Sequence, residues 1–222
     1  MAPLIDEIFP VIYVDGIHLG RKAVVLIARN DTHVMGWYIA RSENSDAWTA
    51  LLGRLAAPAM VVTDGGSGFA KARRKTWPDT KVQRCLFHIH NNILTKTTRR
   101  PNLLAAQELK ILARSLLYIK KSKQADQWIN AYVQWETKWA TFLNEKSGYT
   151  NGQIGYTHKR LVEARSMLRT LGNSKTMFTY LDKKLIEAHG ILPCTTNKIE
   201  GATNAPLREM LRHHRGMKLD RR

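Results

Sequence analysis

Two stretches of the chain share one design. Val11-Ile12-Tyr13-Val14 runs into Asp15-Gly16, and Met60-Val61-Val62-Thr63 runs into Asp64-Gly65-Gly66. A short, uninterrupted run of apolar, β-favouring residues is a strand covered on both faces. The carboxylate ending each run does not stay unpaired in that apolar layer, because burying a lone charge is costly. Each acid therefore stands at an edge in solvent or in a site. Since both strands release an Asp into a glycine turn, the two acids are expected to meet at one end of one sheet.

The surrounding residues supply the rest of that sheet. Strand one continues to about Leu19, and a Gly20-Arg21-Lys22 turn leads into a second buried strand over Ala23–Ala28. Asn30-Asp31 turns the chain again, and His33–Ala40 reads as a third strand. Tight turns between successive strands make an antiparallel meander. Ser45-Asp46 caps a helix running to about Ala56, with Trp48, Leu51, Leu52 and Leu55 on one face, and Pro58 stops it. Met60–Thr63 is the fourth strand, Gly68–Trp77 a short basic helix, and Lys81–Phe87 a fifth strand carrying Cys85.

From about His88 to Ala188 the pattern is helical. Leu103, Leu104, Leu109, Leu112, Leu116 and Leu117 suit one amphipathic helix, and Trp128, Tyr132, Trp135, Trp139 and Phe142 another. Residues 148–155 read as a loop, followed by helices at about Thr157–Leu171 and Lys175–Glu187. A last helix spans about Asn197–His214 before a basic tail. The fold class is α/β: a mixed five-stranded sheet flanked by helices in three layers, with an all-α insertion before the last helix. The expected division is 1–96, 97–192 and 193–222.

Charge narrows the partners. Lys and Arg number 35 against 18 Asp and Glu in 222 residues, a formal net charge of +17. Such an excess points to a polyanion, with nucleic acid ahead of a membrane surface. No apolar run approaches the roughly 20 residues of a membrane span. The first residues lack the basic-then-apolar pattern of a signal peptide. Cys85 and Cys194 make no disulfide framework and suit a reducing compartment. A cytoplasmic, nucleoid-associated protein is the expectation.

Asp15 and Asp64 are the leading site candidates. Paired carboxylates at strand ends suit a hard divalent cation, which takes oxygen ligands and leaves positions for phosphate and water. The competing reading makes each Asp a turn former before Gly. Glu200 is the candidate third acid, although Asn197 as a helix cap with Glu200 three residues on is equally a capping-box arrangement. Cys85-Leu86-Phe87-His88, followed by His90, has some metal-ligand spacing, but a second pair is missing, so a packing role for Cys85 competes. His88 reads as a polar residue at a strand end near the site. Gly65-Gly66-Ser67-Gly68 lacks the Lys-Ser/Thr of a phosphate loop and reads as the turn that frees Asp64. Basic clusters include Lys71, Arg73, Arg74 and Lys75; Lys96, Arg99 and Arg100; and Lys198, Arg208, Arg212 and Arg215. Each alone suits a solvated face, whereas together they suit a surface that tracks DNA phosphates. The Trp/Tyr stripe reads as helix-packing core rather than a base-stacking platform.

In order, Tyr13-Val14-Asp15-Gly16, Val62-Thr63-Asp64-Gly65-Gly66, Gln83-Arg84-Cys85-Leu86-Phe87-His88 and Thr196-Asn197-Lys198-Ile199-Glu200-Gly201 resemble the motifs of mutator-type insertion-sequence transposases. Asp64 follows Asp15 by 49 positions and Glu200 follows Asp64 by 136, so the set spans nearly the whole chain. The resemblance implies an RNase H-like core with an Asp-Asp-Glu triad, a Cys-x-x-His motif after the second Asp, and a helical insertion before the Glu. It makes Asp15, Asp64 and Glu200 catalytic ligands of two divalent ions, Mg²⁺ or Mn²⁺, and sets Cys85 and His88 near them. It implies water attack on a phosphodiester at a transposon end, then attack of the freed 3′-hydroxyl on target DNA, with no covalent protein intermediate. Double-stranded DNA is the implied partner, bound by a homodimer. The family's usual upstream DNA-binding region and longer C-terminal part are not matched, so a truncated frame with an intact core is expected. A DNA-binding remnant without turnover, or another RNase H-like nuclease, are the competing readings.

Overall fold

The computed structural model describes residues 4–20, 22–148 and 152–213, which form two compact units. One is built from the described residues up to Cys85 and from Asp182 onward; the other is Leu86–Leu181.

The first unit opens with β1 (Val11–Leu19), β2 (Ala23–Arg29) and β3 (Val34–Ala40), then α1 (Ser45–Leu52), β4 (Met60–Thr63), α2 (Ser67–Thr76) and β5 (Lys81–Arg84). Sheet order is β3-β2-β1-β4-β5, with β1–β2 and β2–β3 antiparallel and β1–β4 and β4–β5 parallel. The mixed five-stranded sheet expected from the run of strands and the later alternation is present. β2 is buried along its whole length, as its unbroken apolar run requires. Trp48, Leu51, Leu52 and Leu55 pack with Phe69, Ala72 and Trp77 over Ile12, Val14, Leu26 and Val61, forming the core on one face of the sheet. Asn44, rather than Ser45, caps α1: its side chain accepts from the Asp46 and Ala47 amides at 3.1 and 2.9 Å.

β5 is shorter than its apolar extension suggests. It ends at Arg84, and α3 (Leu86–Thr97) begins one residue after Cys85. Leu86, Ile89, Ile93 and Thr97 are buried along one side of α3, so the Cys85-Leu86-Phe87 run belongs to a period of 3.6 rather than 2. His88 is therefore a helical residue and does not end a strand.

The second unit continues with α4 (Leu104–Ser115), α5 (Ser122–Lys138), α6 (Ala140–Asn144), β6 (Lys146–Gly148), β7 (Ile154–Tyr156) and α7 (Lys159–Asn173). It is not all-helical: β6 and β7 pair antiparallel where the sequence reads as a loop. Three-residue strands are too short to register as an alternating pattern. Trp128, Tyr132 and Trp135 are buried and stack along α5. Each has a polar anchor: Trp128 Nε1 donates to Leu112 O at 2.8 Å, Trp135 Nε1 to Ala105 O at 2.9 Å, and Tyr132 Oη to Arg165 O at 3.2 Å. With their rings in the core and their polar edges occupied, they are not offered to nucleic acid.

Back in the first unit come α8 (Lys183–His189), α9 (Asn197–Ile199), a π-helical turn (Glu200–Asn204) and α10 (Ala205–His213). The helix expected over Lys175–Glu187 is broken: Asp182 caps α8 by accepting from the Lys184 and Leu185 amides at 2.9 and 3.2 Å. The segment from Asn197 on is one helical stretch, but with a π turn at the residues that matter most.

Candidate functional site

Register carries the two aspartates to the same end of neighbouring strands. β1 and β4 run parallel with Val11 beside Met60 and Tyr13 beside Val62. Carrying that pairing two residues further sets Asp15 beside Asp64, on strands about 4.8 Å apart. Register partners point to the same face, so a strand continued through Asp64 would send both carboxylates out on one side. Asp15 does not end its strand in a glycine turn as expected: it lies within β1, which continues to Leu19, and is only 8% exposed. Its Oδ1 accepts from the Gly16 amide at 2.9 Å, and its Oδ2 accepts from Asn204 Nδ2. Asp64 is half-buried and its Oδ1 accepts from the Gly66 amide at 3.2 Å.

The glycines after the aspartates are steric requirements. Gly65 has φ +93°, and a Cβ there would fall 1.8 Å from Arg84 Cζ. Arg84 crosses beneath the turn and its Nη2 donates to the Asp64 carbonyl. Burial pushes the Arg84 guanidinium below its ordinary value, and the neighbouring Asp64 opposes that shift. Gly16 and Gly66 admit a side chain that sequence reasoning missed. Glu43 Oε2 stands 3.0 Å from where a Gly16 Cβ would lie, and its Oε1 3.0 Å from where a Gly66 Cβ would lie. Trp48 Nε1 donates to Glu43 Oε1 at 3.0 Å, and His18 Nε2 lies 3.4 Å from Oε2. Glu43 thus wedges between Gly16 of β1 and the turn at Gly66. Its only sequence signal was the glycine following each aspartate.

Glu200 opens the π turn whose last residue meets Asp15. α9 packs against β1, and Asn204, four residues after Glu200, donates to Asp15. Glu200 does not close a capping box on Asn197: Thr196 Oγ1 donates to Glu200 Oε1 at 3.0 Å, and the Glu200 amide donates to the Thr196 carbonyl at 3.1 Å. Thr196 also meets Cys85, whose Sγ lies 3.3 Å from both its amide and its hydroxyl. The hydroxyl has one hydrogen, so while it donates to Glu200 it can only accept from the thiol. The buried Cys85 therefore has more than a packing role: it anchors the residue that orients Glu200. Thr196→Val should lower stability by about 1.5–3 kcal/mol, the scale of a lost hydrogen bond to a charged group. Chemical denaturation would show the loss. Both cysteines are free thiols. Burial, with Cys85 close by, pushes the Cys194 thiol up and keeps it protonated.

The remaining candidates divide. Lys71, Arg74, Lys75, Arg208 and Arg212 are exposed in the first unit; Arg99 and Arg100 are exposed in the second. Arg73 instead ties down the end of α2, donating to Pro78 O at 3.0 Å and Thr80 O at 3.4 Å. Lys96 pairs with Glu163, and Arg212 with Glu209 at 2.8 Å. His88 sits on α3, in the second unit. Arg215 and the side chain of Lys198 lie outside the described residues. Among the described residues, no three His, Cys, Asp or Glu side chains stand grouped as a ready-made metal centre. No described helix is long and apolar enough to cross a membrane.

Comparison with known proteins gives this geometry a family. The chain is 26% identical over 160 residues to the transposase for insertion sequence element IS905 of Lactococcus lactis, an alignment covering 64% of this chain and 40% of that protein. It is 33% identical over 112 residues to the transposase for insertion sequence element IS6120 of Mycolicibacterium smegmatis, covering 43% and 35%. A probable insertion-sequence transposase of Corynebacterium diphtheriae is 27% identical over 125 residues, covering 47% and 36%. The chain thus matches well under half the length of these relatives. The sequence profile of the Mutator family of transposases matches residues 4–160, which include Asp15, Asp64 and the Cys85–His88 motif and stop short of Glu200. With most of its length inside that match, the chain belongs to the Mutator family of transposases.

Proposed function

We propose that the first unit is the catalytic core of a DNA transposase, RNase H-like in arrangement and interrupted by the largely helical second unit. On this reading Asp15, Asp64 and Glu200 hold divalent ions, Mg²⁺ or Mn²⁺, against a DNA phosphate. The observation that carries it is the parallel β1–β4 register, which ends two residues before both Asp15 and Asp64, with the Glu200 helix tied to Asp15 by Asn204. The donor set suits a hard cation. Asp15 is a nearly buried carboxylate, and beside it the buried Asn204 Oδ1 is an acceptor that no donor reaches among the described residues. Because the three acids are not already grouped as a metal centre, ion binding and the drawing together of their side chains are one event.

The chain's residues have distinct tasks. Asp15 and Asp64 supply oxygen ligands from adjacent strands. Thr196, seated on Cys85, aims Glu200. Glu43 packs between Gly16 and Gly66, and Arg84 braces the Asp64-Gly65 turn. A hard divalent ion, when bound, stabilises charge developing on the phosphoryl oxygens and activates the attacking oxygen. The reaction is hydrolysis of a phosphodiester at a transposon end, releasing a 3′-hydroxyl that attacks target DNA. The net charge of +17 and the exposed Lys71, Arg74 and Lys75 favour duplex DNA as the partner, with a homodimer pairing two ends.

The test is strand nicking of a terminal-inverted-repeat duplex by the purified chain. Cleavage is expected with Mn²⁺ or Mg²⁺, and none in chelator or by Glu200→Gln. DNA binding without any cleavage, unaffected by either ion, would leave a DNA-binding remnant instead.

A further inference from the structure

Asn204 is completely buried at the end of the π-helical turn Glu200–Asn204. Its Nδ2 donates to Asp15 Oδ2, yet among the described residues no donor reaches its Oδ1. Buried acceptors without donors are uncommon, and each calls for a physical explanation. The hydrogen bond to Asp15 accounts for Nδ2 and leaves Oδ1 unexplained. The π turn is a second anomaly. Such turns are rare and recur at functional sites. This one brings Asn204 to Asp15, while on the same turn Thr203 Oγ1 accepts from Arg29 Nη1 at 3.0 Å. Ala205, the next residue, is exposed.

We infer that Asn204 is itself a ligand of the divalent ion at Asp15, through Oδ1. The inference rests on the proposed role of Asp15 as an ion ligand. An amide carbonyl is a hard oxygen donor that Mg²⁺ and Mn²⁺ accept beside carboxylates. Being neutral, it adds a ligand without adding to the repulsion among Asp15, Asp64 and Glu200. The same side chain orients Asp15 through Nδ2, so one residue supplies a ligand and aligns another. The orphaned acceptor is thereby explained: its partner is the ion, not a protein donor.

The test is Mn²⁺ binding to the full chain, read by calorimetry, by loss of the free-ion EPR signal, and by the ion-dependent shift in melting temperature. N204A should weaken Mn²⁺ binding by roughly 10–100-fold. N204D should melt below wild type without the ion, because two carboxylates then meet, and should recover when Mn²⁺ is added. A purely structural Asn204 predicts the opposite pattern: N204A binds Mn²⁺ like wild type and N204D gains nothing from it, which would overturn the inference. If N204A does not fold, the ion-dependent recovery of N204D decides alone. D15N separates the two levels. If D15N abolishes binding while N204A matches wild type, only the role of Asn204 falls. If D15N binds like wild type, or wild type binds no Mn²⁺, the metal reading of Asp15 falls and takes this inference with it.

Discussion

Asp15→Asn is expected to lower divalent-ion-dependent strand cleavage by at least ~10²-fold, the upper end of what loss of a residue merely supporting a metal ligand costs. The substitution is nearly isosteric. Its oxygen can still accept from the Gly16 amide or from Asn204, so the strand and the docked helix have no steric reason to move. What disappears is a negative charge in a site only 8% exposed. A buried carboxylate opposes folding unless something stabilises its charge, so its removal is expected to leave the ion-free melting temperature within about 5 °C of wild type, or above it. The stabilisation that Mn²⁺ confers on wild type should vanish. Paired thermal melts with and without Mn²⁺, beside a nicking assay, check both halves. Cleavage at the wild-type rate would remove Asp15 from the chemistry.

Gly65→Ala is expected to destabilise the protein by about 2–4 kcal/mol, through two separable effects. The first is backbone: φ +93° is a conformation in which a Cβ is strained. The second is steric: that Cβ would lie 1.8 Å from Arg84 Cζ and 2.1 Å from its Nε and Nη1, so the guanidinium has to leave. Its hydrogen bond to the Asp64 carbonyl goes with it, and Asp64 loses the brace beneath its turn. A lower denaturation midpoint at unchanged m-value would report the loss. The double variant Gly65→Ala/Arg84→Ala distinguishes the two effects. With the guanidinium already gone, the added alanine meets only the backbone strain, so the two substitutions together should cost less than the sum of each alone. Strict additivity would mean that Arg84 and Gly65 do not meet.

What was legible in the chain was whatever repeats locally. The strands around Asp15 and Asp64 are uninterrupted apolar runs, and the core helix after β3 shows its face through Trp48, Leu51 and Leu52. The difference of 49 between the aspartates is itself the β1–β4 register. Less legible was whatever needs two distant segments at once. Cys85-Leu86-Phe87 reads as an extension of a strand, and only the burial of Ile89 and Ile93 shows that Leu86 opens a helix. The short β6–β7 pair has too few residues to carry a period.

The amino-acid sequence by itself determined the sheet, its aspartates and the basic character of the surface, because hydrophobic period, turn residues and charge act over a few neighbours. Only the tertiary structure decided which other residues accompany those acids. Glu43 between Gly16 and Gly66, Arg84 beneath Gly65, Cys85 on Thr196 and Asn204 on Asp15 are contacts between segments up to 189 positions apart. No local rule specifies such contacts: each exists because the folded core holds two backbones at a fixed separation, which leaves one buried polar atom only one place to find its partner.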